Sequence, residues 1–161
     1  MAERIISSPI GVLLLAEEQG ALCAVRRMEG GAVQSENAQE SALLDLAQRE
    51  LEEYFSGCRR AFSVPLRMRG TAFECRVWKA LTQIPYGETR SYAQIAAQIG
   101  SPGAVRAVGR ACGKNPLLII AACHRVIGAD RRLTGFSAGM DAKEALLALE
   151  GIRTKDGKVD R

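Results

Sequence analysis

Cys123 and His124 are neighbours, and His124 is the only histidine in the 161 residues. Cys123 follows the apolar run Leu117–Ala122 and precedes His124 and Arg125. A thiol that leaves a buried segment beside an imidazole and a guanidinium has the base and the positive charge that favour a reactive thiolate. Adjacent residues of a strand point to opposite faces, so a buried structural cysteine followed by a surface histidine stays open as the alternative.

Positive charge is concentrated around this pair. The chain carries a net charge of +4, yet no acidic residue lies between Glu88 and Asp130. The basic residues of this acid-free stretch are Arg90, Arg106, Arg110, Lys114 and Arg125. Such a stretch favours an anionic partner such as nucleic acid, although a solvated basic face without a partner is equally compatible with a pI of only 8.9.

The cysteine pattern argues against a disulfide framework and against a metal site. Five cysteines is an odd number, none forms a Cys-x-x-Cys pair, and a single histidine leaves too few ligands for zinc, so we expect reduced thiols and no metal. The longest apolar run, Leu117–Cys123, is far shorter than the ~20 residues of a membrane span, and Met1–Arg4 begins no signal peptide. We therefore expect an intracellular protein without a membrane partner.

The first 69 residues are predicted to form a small lobe. Apolar runs at Gly11–Ala16 and Ala21–Val25 predict a β-hairpin with the four-residue loop Glu17–Gly20. Met28–Gln39 is rich in loop-forming residues, and Phe62–Val64 is predicted to be a further strand that ends at Pro65.

A helix in this lobe is predicted from apolar residues at helical spacing between Leu43 and Phe55, ended by Gly57. The boundary of the lobe is expected near Arg67–Gly70. The domains predicted from the sequence are thus residues 1–69 and 70–161.

The second domain is predicted to be mostly helical. Thr71–Glu74 and Ser91–Gln94 both have capping-box spacing, which predicts helix starts. The second of these helices is expected to stop at Gly100, and Ala104–Cys112 to form the next one after a four-residue Gly/Pro turn. Two short helices joined in this way are typical of a helix-turn-helix, although any helical corner of an enzyme gives the same pattern.

The last predicted helix begins with Asp141 as its cap and ends at Glu150, before Gly151. We expect the basic tail Gly151–Arg161 to be disordered. The fold class is therefore α+β, with a small N-terminal β-hairpin and helix lobe followed by a mostly helical domain that contains a helix-turn-helix.

Several short segments between residues 70 and 151 together resemble the O6-alkylguanine-DNA alkyltransferase family, in the family's order and spacing. The segments are Ile84–Glu88, Ser91–Tyr92, Val105–Gly109, Asn115–Pro116, Cys123–Val126, Gly135–Ser137 and Leu146–Gly151. The resemblance implies transfer of an alkyl group from guanine O6 in DNA to the protein's own cysteine, once per molecule and without a cofactor.

The resemblance also implies roles for the catalytic residues. Cys123 matches the nucleophile, His124 the base that removes the thiol proton through a bridging water, and Glu150 the carboxylate that orients the imidazole. Asn115 matches the residue that bonds the backbone of the active-site turn. Tyr92 matches the donor of a proton to the guanine ring, which also helps to turn the nucleotide.

The implied partner is double-stranded DNA containing O6-alkylguanine, bound through the minor groove by a monomer. Arg106 matches the arginine that fills the space of the flipped nucleotide, since a pocket thiol cannot reach a base inside the duplex. Ala107 is small enough for close approach to the groove, and Arg110 adds charge. This partner implies a cytoplasmic protein in a prokaryote and a nuclear one in a eukaryote.

Ser137 matches a residue that contacts guanine O6, and three neighbours complete the implied substrate pocket: Phe136, Leu118 and Ala122. The chain departs from the family pattern here, because Leu118 and Ala122 stand where prolines are usual and Phe136 where tyrosine is common. Because these positions line the implied pocket, the departures bear on the transfer rate and on the range of accepted alkyl groups.

Two other functions stay open at this point. One is a helix-turn-helix module that senses alkylated DNA with little or no transfer; the missing prolines favour it, but relatives of that kind replace the nucleophile, which is retained here as Cys123. The other is a Cys-His hydrolase of peptide or amide bonds, which usually brings its two residues together from distant segments rather than from adjacent positions.

Overall fold

Three antiparallel strands begin the chain in the computed structural model, which describes residues 1–29 and 40–160. β1 (Ala2–Ser8), β2 (Gly11–Glu18) and β3 (Ala21–Arg27) form one sheet in that order. The predicted hairpin is confirmed, but its four-residue loop is wrong, since only Gln19 and Gly20 separate the strands. Both residues have positive φ, 52° and 76°, which gives the tight turn whose twist matches paired strands. β1 was not foreseen.

Helix α1 spans Ala42–Phe55, and the Ser41 hydroxyl caps it by accepting a hydrogen bond from the Leu44 N–H. The strand predicted at Phe62–Val64 is wrong. The backbone N–H groups of Ser63 and Val64 donate to the buried Glu50 carboxylate at 2.9 Å, so a side chain satisfies donors that a sheet would otherwise pair. The part of the predicted Met28–Gln39 loop from 30 to 39 lies outside the described residues.

The outer edge of β3 pairs with two short segments, residues 65–67 and 116–118. Leu22 forms backbone hydrogen bonds of 2.8 and 2.9 Å with the first segment, and Val25 forms bonds of 2.8 and 3.1 Å with the second. The chain accordingly divides into two compact units: Met1–Arg69 with Pro116–Leu118, and Gly70–Asn115 with Ile119–Arg161.

The second unit contains α2 (Ala72–Thr82), α3 (Tyr92–Gln98), α4 (Val105–Gly113) and α5 (Met140–Leu149). Both predicted capping boxes are confirmed, with Thr71 and Ser91 as the N-caps. The predicted helix-turn-helix is present, but its four-residue turn is wrong, since six residues, 99–104, join α3 to α4. The Trp78 indole of α2 donates to the Ala111 carbonyl of α4 at 2.8 Å, which ties this motif to the helical core.

Strand β4 (Arg90–Ser91) pairs in parallel with β5 (Val126–Ile127). Tyr92 directly follows β4, and the 3₁₀ helix Cys123–Arg125 directly precedes β5. This pairing therefore places the start of α3 beside the segment that carries the cysteine.

The C-terminal tail corrects one expectation. Disorder in the tail is wrong for the described residues through 160, because β6 (Thr154–Lys155) and β7 (Lys158–Val159) form an antiparallel hairpin. Ile152 and Val159 are buried in a cluster of apolar side chains completed by Ile127, Leu133 and Leu147. Burial of this apolar surface is what orders the tail.

The start of α5 corrects another. The predicted cap at Asp141 is wrong, since α5 begins after Gly139, whose φ is 102°, with no side-chain cap. Its predicted end is confirmed, with Glu150 as the C-cap and Gly151 at a φ of 82°. Within the described part of the chain, no helix has the length and apolar character needed to cross a membrane.

Candidate active site

Cys123 lies at the start of the 3₁₀ helix and is only 4% exposed. The Asn115 amide donates to the Ala121 carbonyl at 2.7 Å and to the Cys123 sulfur at 3.2 Å. Ile119 has a φ of 74°, a left-handed conformation that is costly for a β-branched residue. The turn that carries the thiol is thus shaped by the strained backbone at Ile119 and by the two hydrogen bonds of the Asn115 amide.

The thiol of Cys123 is protonated at rest. Burial raises its pKa, while the Asn115 hydrogen bond, the Lys143 ammonium and the backbone N–H groups of Cys123 and His124 oppose the rise. These opposing groups all favour the thiolate once a proton acceptor is present. The site therefore needs a base to generate its nucleophile.

His124, the neighbour of Cys123, is fully buried, and its two ring nitrogens have different surroundings. Its Nε2 lies 2.6 Å from Glu150 Oε2. Because a carboxylate only accepts, Nε2 carries the proton and Nδ1 carries the lone pair. Nδ1 is buried and has no hydrogen-bond partner among the described residues. Burial lowers the pKa of His124, and the positive charges of Arg125 and Lys143 lower it further. The contact with Glu150 raises it. The net effect is a lowered pKa, so the imidazole is neutral.

The Glu150 carboxylate also accepts hydrogen bonds from Arg125 and Gly87. Arg125 donates to it through Nε at 2.7 Å and Nη2 at 3.0 Å, and the Gly87 N–H donates at 3.0 Å. The third nitrogen of Arg125 donates to the Ile84 carbonyl at 2.6 Å. The Glu150 carboxylate is thus fully engaged, and Arg125 neutralises its charge inside the protein.

Tyr92 is half-buried at the first position of α3, and its phenol shares a hydrogen bond with the Thr134 hydroxyl. Burial raises the pKa of Tyr92, the Thr134 hydrogen bond opposes the rise, and the nearby Cys112 and Cys123 thiols add to it. The phenol therefore stays protonated and close to the nucleophile, as a proton donor must be.

Lys143 is a buried cation on α5. Its ammonium donates to the Val126 carbonyl at 2.7 Å and to the Thr134 carbonyl at 3.3 Å, and lies 5.9 Å from the Phe136 ring centre. Burial lowers the pKa of Lys143 to about 8, and the nearby Cys123 and Cys112 side chains act in the opposite direction by raising it. Lys143 fixes the loop that follows β5.

The predicted pocket residues differ in how deeply they are buried. Ala122 is buried next to the nucleophile, Phe136 is half-buried beside Lys143, and Ser137 is exposed in the turn closed by the Gly139 N–H and the Phe136 carbonyl. Leu118 is buried and belongs to the first unit, where its N–H donates to the Val25 carbonyl.

The predicted DNA-contacting residues lie on α4. Arg106 and Arg110 are exposed one turn apart, Ala107 is half-buried between them, and Val108, Ala111 and Cys112 face the core. The site thus brings together Cys123, His124, Glu150, Asn115 and Tyr92, and α4 presents two arginines on its open face.

Sequence reasoning missed Gly87, Thr134 and Lys143 as site residues. For Lys143 a signal existed, because it stands at helical spacing from Leu146 and Leu147 on the apolar face of α5. Arg125 was identified from the sequence as positive charge beside the thiol, and its ion pair with Glu150 was not foreseen.

The second unit combines a helix-turn-helix, a motif of many DNA-binding proteins, with a buried cysteine beside a His–Glu pair, and this combination indicates a DNA-binding protein with a thiol site. The family model for the 6-O-methylguanine DNA methyltransferase DNA binding domain matches residues 72–152, and that for the ribonuclease-like domain of the same family matches residues 1–68. The chain belongs to the 6-O-methylguanine DNA methyltransferase family.

Similar proteins come from bacteria and archaea. The methylated-DNA–protein-cysteine methyltransferase of Mycobacterium tuberculosis is 50% identical over 93% of this chain and 92% of its own length. The protein of the same name from Methanosarcina acetivorans is 48% identical over 91% and 96%. The crystal structure of Mycobacterium tuberculosis OGT in complex with DNA has a TM-score of 0.85 at 48% identity, covering 94% of this chain and 93% of that one.

Proposed function

We propose that this DNA-repair methyltransferase takes the alkyl group from O6 of guanine in double-stranded DNA onto Cys123, once per protein molecule. The observation that supports Cys123 as the acceptor is the buried arrangement of His124 and Glu150 behind it, with a 2.6 Å contact that leaves Nδ1 as the proton acceptor. The family relationship supplies the reaction, and the geometry supports the assignment of the atoms.

The reaction is a displacement at a saturated carbon. The Cys123 thiol gives its proton to His124 through one water, and the sulfur attacks the alkyl carbon while the bond to O6 breaks. Glu150 holds the imidazolium that forms. Tyr92 donates a proton to the guanine ring, because a neutral base is a better leaving group than its anion. Asn115 holds the sulfur and the turn behind it. No cofactor is needed for these steps.

The target guanine must leave the duplex to reach a buried thiol. Arg106 fills the space it leaves, with Tyr92 turning the nucleotide, and Arg110 one turn further along α4 contacts the backbone. Ala107 allows α4 to approach the minor groove closely. The helical domain, 70–161, carries both DNA binding and transfer, while residues 1–69 form a separate lobe.

The flipped base is held by Ser137 at O6 and by Phe136 and Ala122 around the ring and alkyl group. The protein acts as a monomer without a metal. Since chromosomal DNA is the substrate, we place the protein in the cytoplasm of a prokaryote or the nucleus of a eukaryote.

The decisive experiment is transfer from a duplex containing O6-methylguanine, followed by peptide mass mapping. We expect one added methyl group on the peptide that contains Cys123 and none in the Cys123→Ala variant, which should still bind the duplex. Cys75→Ala, which removes another thiol of the second unit, is the matched control and should be labelled like the wild type. Tight binding to the alkylated duplex without any label would replace this proposal by a lesion-sensing function.

A further inference from the structure

The hydrogen bond between the Tyr92 phenol and the Thr134 hydroxyl has no part in the transfer steps described above. Thr134 lies in the loop between β5 and α5, and its neighbours fix it on both sides. Its own carbonyl accepts from the Lys143 ammonium at 3.3 Å, and the N–H of Leu133 donates to the Gly157 carbonyl at 2.8 Å. The backbone at Thr134 is thus held by contacts that do not involve Tyr92.

A phenol becomes a better proton donor when its oxygen accepts a hydrogen bond, because that bond stabilises the negative charge left behind. A threonine hydroxyl has one proton to donate and two lone pairs, so it can serve as this donor. Thr134 is exposed and Tyr92 is half-buried, so the phenol can hold Thr134 and still offer its proton to an incoming base.

We propose that Thr134 is a positioning residue for the transfer, whose hydroxyl donates to the Tyr92 oxygen while Tyr92 gives its proton to the departing guanine. This inference rests on the proposed function. The sulfur–carbon bond forms as the carbon–O6 bond breaks, and the electron pair of the broken bond stays with the guanine. The proton that His124 took from Cys123 later restores the phenol, so the thiol proton is exchanged for the alkyl group.

The test compares Thr134→Val, which keeps the shape and removes the hydroxyl, with Thr134→Ser, which keeps the hydroxyl. Single-turnover rate constants are measured with O6-methylguanine duplex at saturating protein. We expect Thr134→Val to lower the rate constant by about 3- to 10-fold, the effect of losing one hydrogen bond of ordinary strength, and Thr134→Ser to stay near the wild type. Thr82→Val, at an exposed threonine whose hydroxyl donates to the Lys79 carbonyl, is the matched control.

Two readouts separate this role from a general disturbance of the loop. In a Tyr92→Phe background, Thr134→Val should have no further effect, because the group it assists is gone. With an O6-benzylguanine that carries an electron-withdrawing group on the purine, the loss in Thr134→Val should shrink, because that leaving group departs without a full proton transfer.

Thr134→Val reacting at the wild-type rate, or effects of Thr134→Val and Tyr92→Phe that multiply, would overturn the role of Thr134 while the wild type still labels Cys123. A wild type that leaves Cys123 unlabelled would instead overturn the proposed function, and this inference with it.

Discussion

Replacing Arg125 by methionine tests how the buried acid of the site is compensated. The substitution keeps an unbranched stem but removes a guanidinium that makes two hydrogen bonds to Glu150 and one to the Ile84 carbonyl. Removal of one partner of a buried ion pair leaves the other charge without compensation, which costs about 3–5 kcal/mol. We expect Arg125→Met to lower the free energy of unfolding of the second unit by this amount at pH 8.

The loss should depend on pH in a defined direction. In the wild type, burial lowers the pKa of His124, Glu150 opposes this, and Arg125 adds to it. The unfolded chain therefore takes up a proton before the folded one, and wild-type stability falls as the pH drops through the unfolded pKa of about 6.5. Without Arg125 the pKa of His124 rises. The free energy of unfolding of the variant therefore falls less on acidification than that of the wild type. The difference in stability between the two proteins should thus be smaller at low pH.

Urea titrations at pH 8 and pH 6 measure both quantities, with fluorescence of Trp78, the only tryptophan, as the probe of the second unit. The narrowing can reach at most about 1.4 kcal/mol per pH unit for one proton. The Arg125→Met/Glu150→Gln double variant, in which neither charge is left alone, should be more stable than the sum of the single losses predicts. A loss below about 1 kcal/mol, or equal losses at both pH values, would refute this account of the site.

Three further outcomes are expected. Arg106→Ala should slow transfer from duplex DNA by about 10- to 100-fold but barely change the reaction with free O6-benzylguanine; equal losses on the two substrates would contradict a role in base flipping. Gly70→Ala should cost about 1–3 kcal/mol in urea unfolding, because its Cβ would lie 2.6 Å from the Trp78 ring; an unchanged midpoint would refute the overlap. Burial lowers the pKa of Lys143 to about 8, below its value of 10.5 in the unfolded chain. The free energy of unfolding of the wild type, relative to that of Lys143→Met, should therefore rise between pH 8 and pH 9. Parallel plots of unfolding free energy against pH for the two proteins would contradict this.

The local signals of the sequence were sufficient for the starts of α2 and α3. Thr71 and Ser91 cap their helices through side chains a few residues away, and such contacts depend only on spacing along the chain. The Cys123–His124 pair and Glu150 were placed through the family resemblance, and the 2.6 Å contact between His124 and Glu150 agrees with that placement.

Two errors and one missed residue arose where distant parts of the chain meet. The strand expected at Phe62–Val64 is absent because Glu50, a helix residue, takes the backbone donors of that segment. The tail is ordered because Ile152 and Val159 pack with Ile127 and Leu133, which lie before α5 in β5 and in the loop that follows it. Thr134 has no local pattern that marks it, since its partner Tyr92 lies forty-two positions earlier. Periodicity and capping rules do not contain such pairings.

The outer edge of β3 limits how this gene can be cut. A fragment that ends at Arg69 would keep the pairing of Leu22 with residues 65–67 but lose the bonds of Val25 to residues 116–118. The freed strand edge would then be open to pairing with another copy of the fragment, which is a recognised route to aggregation. Chimaeras that exchange the N-terminal unit between relatives must therefore exchange residues 116–118 as well. The folded unit includes this short segment, which is not contiguous in sequence with residues 1–69.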